Sequence, residues 1–190
     1  EVAVDGQDAA PAARVYLMLN KPRGLVTTAS DERGRDTVYR CFDQAKLPWI
    51  APVGRLDKAS EGLLLFSNDP EWAAGITEGR PGRSVTKTYH VQVDSIPDEA
   101  LLAELTKGTD DAGEHLRALS VEVLRVGTRN AWLAITLDEG RNRHIRRLLA
   151  AFEVGVLRLV RVAVGDLQLG DLAKGQWRPL TVGEVSALAG

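Results

Sequence analysis

The chain has 190 residues, 44% hydrophobic and 26% charged, which is enough to bury a real core and excludes a disordered segment. No apolar run approaches the ~18 residues of a membrane span, so no membrane association is expected. One cysteine, Cys41, and three scattered histidines exclude a disulfide framework or thiolate metal site; a net charge of −2 leaves no global attraction for polyanions.

Residues 1–14 are small and polar and read as a linker. A strand is predicted over 15–19, followed by the turn-rich Asn20-Lys21-Pro22-Arg23-Gly24. Asp36 is expected to cap a short helix that turns Val38, Cys41 and Phe42 inward. Residues 63–67 form an apolar run of strand length. Asn68-Asp69-Pro70 then supplies a cap and a proline at the first helical position, for a helix to about Gly79. Alternation marks a strand over 87–93. A helix opening at 95–97 carries Leu101, Leu102 and Leu105 and stops at Gly108. Strands over 121–126 and 132–137 pair through a turn at 127–130. Residues 142–152 form an amphipathic helix with Ile145, Leu148, Leu149 and Phe152 on one side. A strand over 157–164 and a helix over 182–188 close the chain. Strands and helices mix without regular βαβ alternation, which predicts an α+β fold with a largely antiparallel sheet.

Charge is distributed unevenly along this order. The segment 94–122 carries −6, whereas 139–161 holds six arginines against two glutamates, and arginine outnumbers lysine 18 to 6. That bias suits planar gripping of phosphate or carboxylate, so any nucleic-acid surface is expected to be local. Gly170 and Gly175 have the spacing of a phosphate loop, but Gln176 and Trp177 stand where Lys and Ser/Thr are required. No nucleophile elbow, zinc-protease motif or dinucleotide fingerprint is present.

Two segments stand out. In Gly54-Arg55-Leu56-Asp57, followed by the apolar run and Asn68-Asp69, an arginine and an aspartate two apart share one face of an extended stretch. The second segment is Glu139-Gly140-Arg141-Asn142-Arg143-His144-Ile145-Arg146-Arg147. With Lys87-Thr88-Tyr89 between them, and with residues 19–24 and 157–169, these blocks resemble the RsuA/RluB/RluE/RluF family of ribosomal RNA pseudouridine synthases. The resemblance spans about residues 15–181, and the C-terminal half is similar to the RluE-like branch.

The resemblance implies a pseudouridine synthase catalytic domain over 15–190, with a mixed, mostly antiparallel sheet flanked by helices and a cleft between two lobes. It implies an isomerase that breaks a uridine's glycosidic bond, turns the base and rejoins it through carbon. That chemistry needs a carboxylate at the anomeric carbon, as nucleophile or as base at the adjacent ribose position. By resemblance the carboxylate is Asp57, Arg146 keeps it ionised, and Tyr89 stacks on the uracil. Arg55 helps extrude the nucleotide, and Leu159, or the neighbouring Val160, closes the pocket. Lys21, Arg23, Arg143 and Arg147 are expected to line the RNA-facing cleft with Arg55, while the acidic 94–122 segment faces away. No metal or cofactor is implied. The expected partner is ribosomal RNA, the large subunit ahead of the small, acted on in the cytoplasm by a monomer.

Each residue also has a plainer reading. Taken singly, Asp57 near Arg146 is more often a structural ion pair, Tyr89 and Leu159 core residues, and the arginines a solvated helix face. The other function considered is a non-catalytic ribosomal RNA-binding assembly factor, which would have no use for a carboxylate in an anion-binding cleft. Val2-Ala3-Val4-Asp5-Gly6 resembles the end of a small N-terminal RNA-binding domain, against which stands a member that naturally lacks one. His144 replaces a glutamine frequent at that place, and either side chain donates a hydrogen bond.

Overall fold

A computed structural model describes residues 3–4, 7–8, 13–28, 36–79 and 83–190. In chain order the strands and helices are β1 (Ala3–Val4), β2 (Gln7–Asp8), β3 (Tyr16–Lys21), β4 (Ala51–Val53), β5 (Glu61–Ser67), α1 (Pro70–Thr77), β6 (Lys87–Val93) and α2 (Glu99–Lys107). There follow β7 (Thr109–Asp111), β8 (Glu114–Leu116), β9 (Ser120–Val126), β10 (Ala131–Leu137), α3 (His144–Ala150), β11 (Val156–Val164), β12 (Leu167–Gln168), β13 (Trp177–Pro179) and α4 (Val182–Ala189). The main sheet runs β13-β3-β5-β11-β6-β10-β9, with β4 paired to β5 and β12 to β11. Every pairing in it is antiparallel except β5 with β11, so the sheet is mixed and mostly antiparallel as expected.

The reason for the apolar run on β5 is its position inside the sheet, between β3 and β11, buried along its whole length. Leu63 and Leu65 enter one core with Met18, Trp72, Ile76 and Leu188; Leu64 and Phe66 enter another with Leu17, Val38 and Phe42. A strand covered on both faces has no polar side to alternate with. A third core joins β6, β9, β10 and β11 to α2 and α3 through Val91, Leu133, Ile135, Leu105, Ile145, Leu148 and Leu149.

The parallel β5–β11 contact depends on Gly62. Its φ is +109°, and a Cβ there would lie 2.2 Å from the Arg161 carbonyl oxygen. Both facts demand glycine. Gly62→Ala is expected to destabilise the fold by about 3 kcal/mol or more, read as a fall in the denaturation midpoint; an unchanged midpoint would mean the strands can part at no cost.

Local chemistry accounts for most boundaries. Asp69 accepts from the Trp72 amide at 3.2 Å, with Pro70 opening α1. For α2 the cap is Asp98, which accepts from Leu101 N at 2.8 Å, and Gly108 at φ +91° ends it. Asp36 does not cap: Thr37 holds that place without a side-chain bond, and Asp36 pairs with Arg40 at 2.7 Å beside the 3-10 turn Val38–Phe42. The segment read as a linker contains the short antiparallel pair β1–β2. The helix predicted over 142–152 is shorter, because Arg143 adopts φ +53° at its N-cap and the chain turns again after Ala150.

Candidate active site

Asp57 sits on the loop between β4 and β5, and the loop is fixed mainly through its backbone. The Thr27 hydroxyl donates to Leu56 O at 2.7 Å and accepts from Leu56 N at 3.3 Å. Gly24 N donates to Lys58 O at 2.7 Å, and Ser60 N to Asp57 O at 2.9 Å. Lys21, fully buried, drives its ammonium beneath the loop and donates to the carbonyls of Asp57 (3.0 Å), Ser60 (2.7 Å), Pro22 (3.2 Å) and Lys58 (3.3 Å). Burial lowers its pKa to about 8, opposed by the nearby Glu61 and Asp57 carboxylates. Lys21 therefore does not line an RNA-facing surface. No phosphate can reach an ammonium enclosed by four carbonyls, and the residue is a post under the Asp57 loop.

A cavity of about 360 Å³ opens above the loop. Arg55, Asp57, Tyr89, Arg143, Arg146 and Leu159 all line it, together with Ser60, Lys87 and Arg161. Tyr89 is half-buried and packs against two of the three cores, and Leu159 is buried. Arg55 and Arg23 are exposed. The α3 motif is pinned from below by His144, whose Nε2 donates to the Arg117 carbonyl at 2.9 Å. Burial, the largest effect, holds its pKa below the ordinary value, against the opposing Arg117 carbonyl bond.

Two arginines face Asp57, with the contacts distributed otherwise than expected. Arg143 makes the ion pair, Nη1 to Oδ2 at 3.3 Å, because its left-handed backbone turns the side chain back over the loop. Arg146, on the first turn of α3, reaches Ser60 Oγ at 3.5 Å, and its buried Nε has no partner among the described residues. Burial, Arg143 and Arg23 press its pKa down while the Asp57 charge pulls it up, so it senses the carboxylate without touching it.

Arg147 is placed differently from the expectation. Its guanidinium binds Asp111 Oδ2 at 2.7 Å, the Asp111 carbonyl at 3.0 Å, Glu114 Oε1 at 2.8 Å and the Asn142 carbonyl at 2.9 Å. Arg141 adds pairs to Glu114 and Glu139, each at 3.3 Å. The acidic β7–β8 hairpin thus docks on the base of α3, and Arg147 is a clip with four of its five donors occupied. Among the described residues no three His, Cys, Asp or Glu side chains gather to hold a metal ion.

A mixed sheet thus carries a single aspartate on an arginine-lined cavity with a tyrosine in its wall. A family profile, RNA pseudouridylate synthase, matches residues 15–151. The chain belongs to that family, and it is an isomerase of RNA uridine. It is 36% identical over 181 residues to the ribosomal large subunit pseudouridine synthase E of Vibrio parahaemolyticus, covering 88% of this chain and 74% of that protein. Against the ribosomal large subunit pseudouridine synthase B of Bacillus subtilis it is 34% identical over 193 residues, covering 99% and 77%. A crystal structure of a pseudouridylate synthase superposes with a TM-score of 0.77 at 32% identity, over 93% of this chain and 74% of that one. An archaeal box H/ACA Nop10–Cbf5 complex shares the fold alone, at 14% identity and TM-score 0.58 over 83% and 50%.

Reading by motif missed Ser60, Lys87 and Arg161 as cavity residues. Lys87 and Arg161 lie two residues from Tyr89 and Leu159 on their strands, and period-two alternation puts each on the same face. That signal was present in the sequence.

Proposed function

We propose that the chain converts a uridine of large-subunit ribosomal RNA into pseudouridine with Asp57 as its catalytic carboxylate. The observation that carries this reading is one carboxylate, held by its backbone over a buried lysine, on a cavity of about 360 Å³ that Tyr89 and Arg146 also line. Arg55, exposed at the rim, fills the stack that the flipped nucleotide leaves. The uracil enters and stacks on Tyr89, and Leu159 closes the far wall. The C1′–N1 bond breaks, with Asp57 acting as nucleophile at C1′ or as base at C2′. The base then turns, C5 bonds to C1′, C5 gives up its proton and N1 gains one. The protein works as a monomer in the cytoplasm, with Arg23 and Arg143 gripping phosphates at the mouth.

Because C5 loses its hydrogen, the test is release of tritium from RNA labelled at uridine C5. Release is expected from large-subunit transcripts and not from small-subunit ones; the reverse would reassign the substrate.

The two arginines are expected to differ in weight. The Arg143–Asp57 pair is half-exposed and screened by water, so Arg143→Ala should raise KM more than it lowers the saturated rate. Arg146 is half-buried with its Nε enclosed, where charge acts through a lower dielectric than at the exposed pair. Arg146→Ala should lower the single-turnover rate about 100-fold, and Arg146→Lys should recover little, since a point charge cannot replace a fork. Equal rates for the two alanine variants would contradict this division.

A further inference from the structure

The cavity holds two cations to which the reaction described above gives no task. Lys87 and Tyr89 leave the same face of β6, about 7 Å apart along the strand, and both line the cavity. Arg161, opposite Tyr89 on β11, is buried and spends its Nε on the Leu63 carbonyl at 2.8 Å. Lys87 makes no hydrogen bond or ion pair among the described residues. Glu78, Asp138 and Glu139 border a smaller cavity that Lys87 also touches. Asp138 is engaged by Arg117 and Glu139 by Arg141, and none of the three pairs with the lysine. The cavity walls about Lys87 include Leu65, Ile76, Leu137 and Val164. Burial first, and then the Arg161 guanidinium, press its pKa below the ordinary 10.5. A half-buried ammonium with no acceptor is costly to the fold unless a ligand supplies one.

We propose that Lys87, backed by Arg161, binds the carbonyl oxygens of the target uracil and stabilises the negative charge that leaves with the base. This rests on the functional reading above. When C1′–N1 breaks, the bonding electron pair departs with the base and spreads over N1, O2 and O4. The ammonium donates a hydrogen bond to one of those oxygens and keeps its proton. The uracil anion then bonds to C1′ through C5, displacing the Asp57 carboxylate from C1′ or, on the base route, with Asp57 returning its proton to C2′. The base is then neutral, and loss of the C5 proton with gain of one at N1 restores its conjugated ring. Charge on the oxygens grows as the bond breaks, so the lysine binds the transition state more tightly than the ground state. A backbone phosphate is the other anion such a site could take. Phosphates flanking a flipped nucleotide stay with the strand at the mouth, where Arg55 is exposed, while the base alone enters between apolar walls.

The test is Lys87→Met in the full chain, assayed on RNA carrying the target uridine and on the same RNA with 5-fluorouridine there. Having no partner to lose, the variant is expected to fold with a melting temperature at or above that of the wild type. Its single-turnover rate on uridine should fall about 100-fold, with RNA affinity and its salt slope unchanged. Fluorine makes the base a better leaving group, so the gap in the rate of glycosidic cleavage should narrow on 5-fluorouridine. An equal loss on both substrates would leave Lys87 a positioning residue and overturn the proposal. So would an unchanged rate, with weakened binding and a salt slope reduced by roughly 0.7–0.9, which marks a phosphate contact. Failure of the functional reading is seen separately, as a wild-type protein that isomerises no uridine in any ribosomal RNA; the proposal then falls with it.

Discussion

Asp57→Asn is expected to abolish turnover, by on the order of 10⁴-fold or more, while the protein still folds and binds RNA. An amide of the same shape can act neither as nucleophile nor as base. The loop should survive, because its fixing bonds reach the carbonyls of Asp57, Lys58, Ser60 and Pro22 from Lys21 and the Leu56 backbone from Thr27. Asparagine keeps every one of these. What the substitution removes is the 3.3 Å ion pair to Arg143, whose side chain is 52% exposed and readily hydrated. Removing a negative charge near the phosphates should, if anything, tighten RNA binding. Single-turnover rates beside equilibrium binding separate the two effects, and appreciable turnover by the variant would remove Asp57 from the chemistry.

A large effect on stability is expected at Lys21 as well as at Gly62. Lys21→Met keeps the buried stem and removes the ammonium from four carbonyls, of which those of Asp57 and Lys58 keep the Ser60 and Gly24 amides as donors. Unsatisfied buried acceptors are costly, and part of that cost is offset because a buried charge is also removed. The net loss should be about 2–4 kcal/mol, or about 5–15 °C in melting temperature for a chain of this size. Turnover should fall as well, since the Asp57 loop loses its post. The pH dependence has a definite sign. The folded-state pKa of about 8 lies below the ordinary 10.5. Between those values the unfolded chain holds a proton that the folded chain has released. This group's contribution to stability is therefore present above about 10.5 and is lost as pH falls through about 8. The stability of wild type relative to Lys21→Met should rise across that window; a flat difference would mean the ammonium keeps its ordinary pKa when buried.

Much of the architecture is legible in the chain because local chemistry and tertiary packing agree. The unbroken apolar run on β5, the Asp69-Pro70 start of α1 and the turn between β9 and β10 each signal the element that forms. The hairpin β7–β8 is not legible in the same way. It is acidic, and of its six strand residues only Leu116 is fully buried, so nothing periodic marks it. Its partner, Arg147, is 36 residues from Asp111. Arg147 and Lys21 share a lesson. Both sit in blocks that read as basic RNA-binding sequence, and both are spent inside the protein, since charge in a sequence does not reveal whether a carboxylate or carbonyl waits across the fold. Lys87 is the opposite case: a strand residue two places from Tyr89, given no role by the motif it belongs to, whose ammonium the cavity leaves unpaired among the described residues.

Whether this chain makes pseudouridine in large-subunit ribosomal RNA through Asp57 is decided by carbodiimide labelling and primer extension. The RNA is taken from cells lacking the protein and from the same cells supplied with wild type or with Asp57→Asn. One reverse-transcriptase stop in large-subunit RNA should disappear with the protein, return with wild type and stay absent with Asp57→Asn. A stop that returns equally with Asp57→Asn, or an RNA map identical with and without the protein, would contradict the assignment.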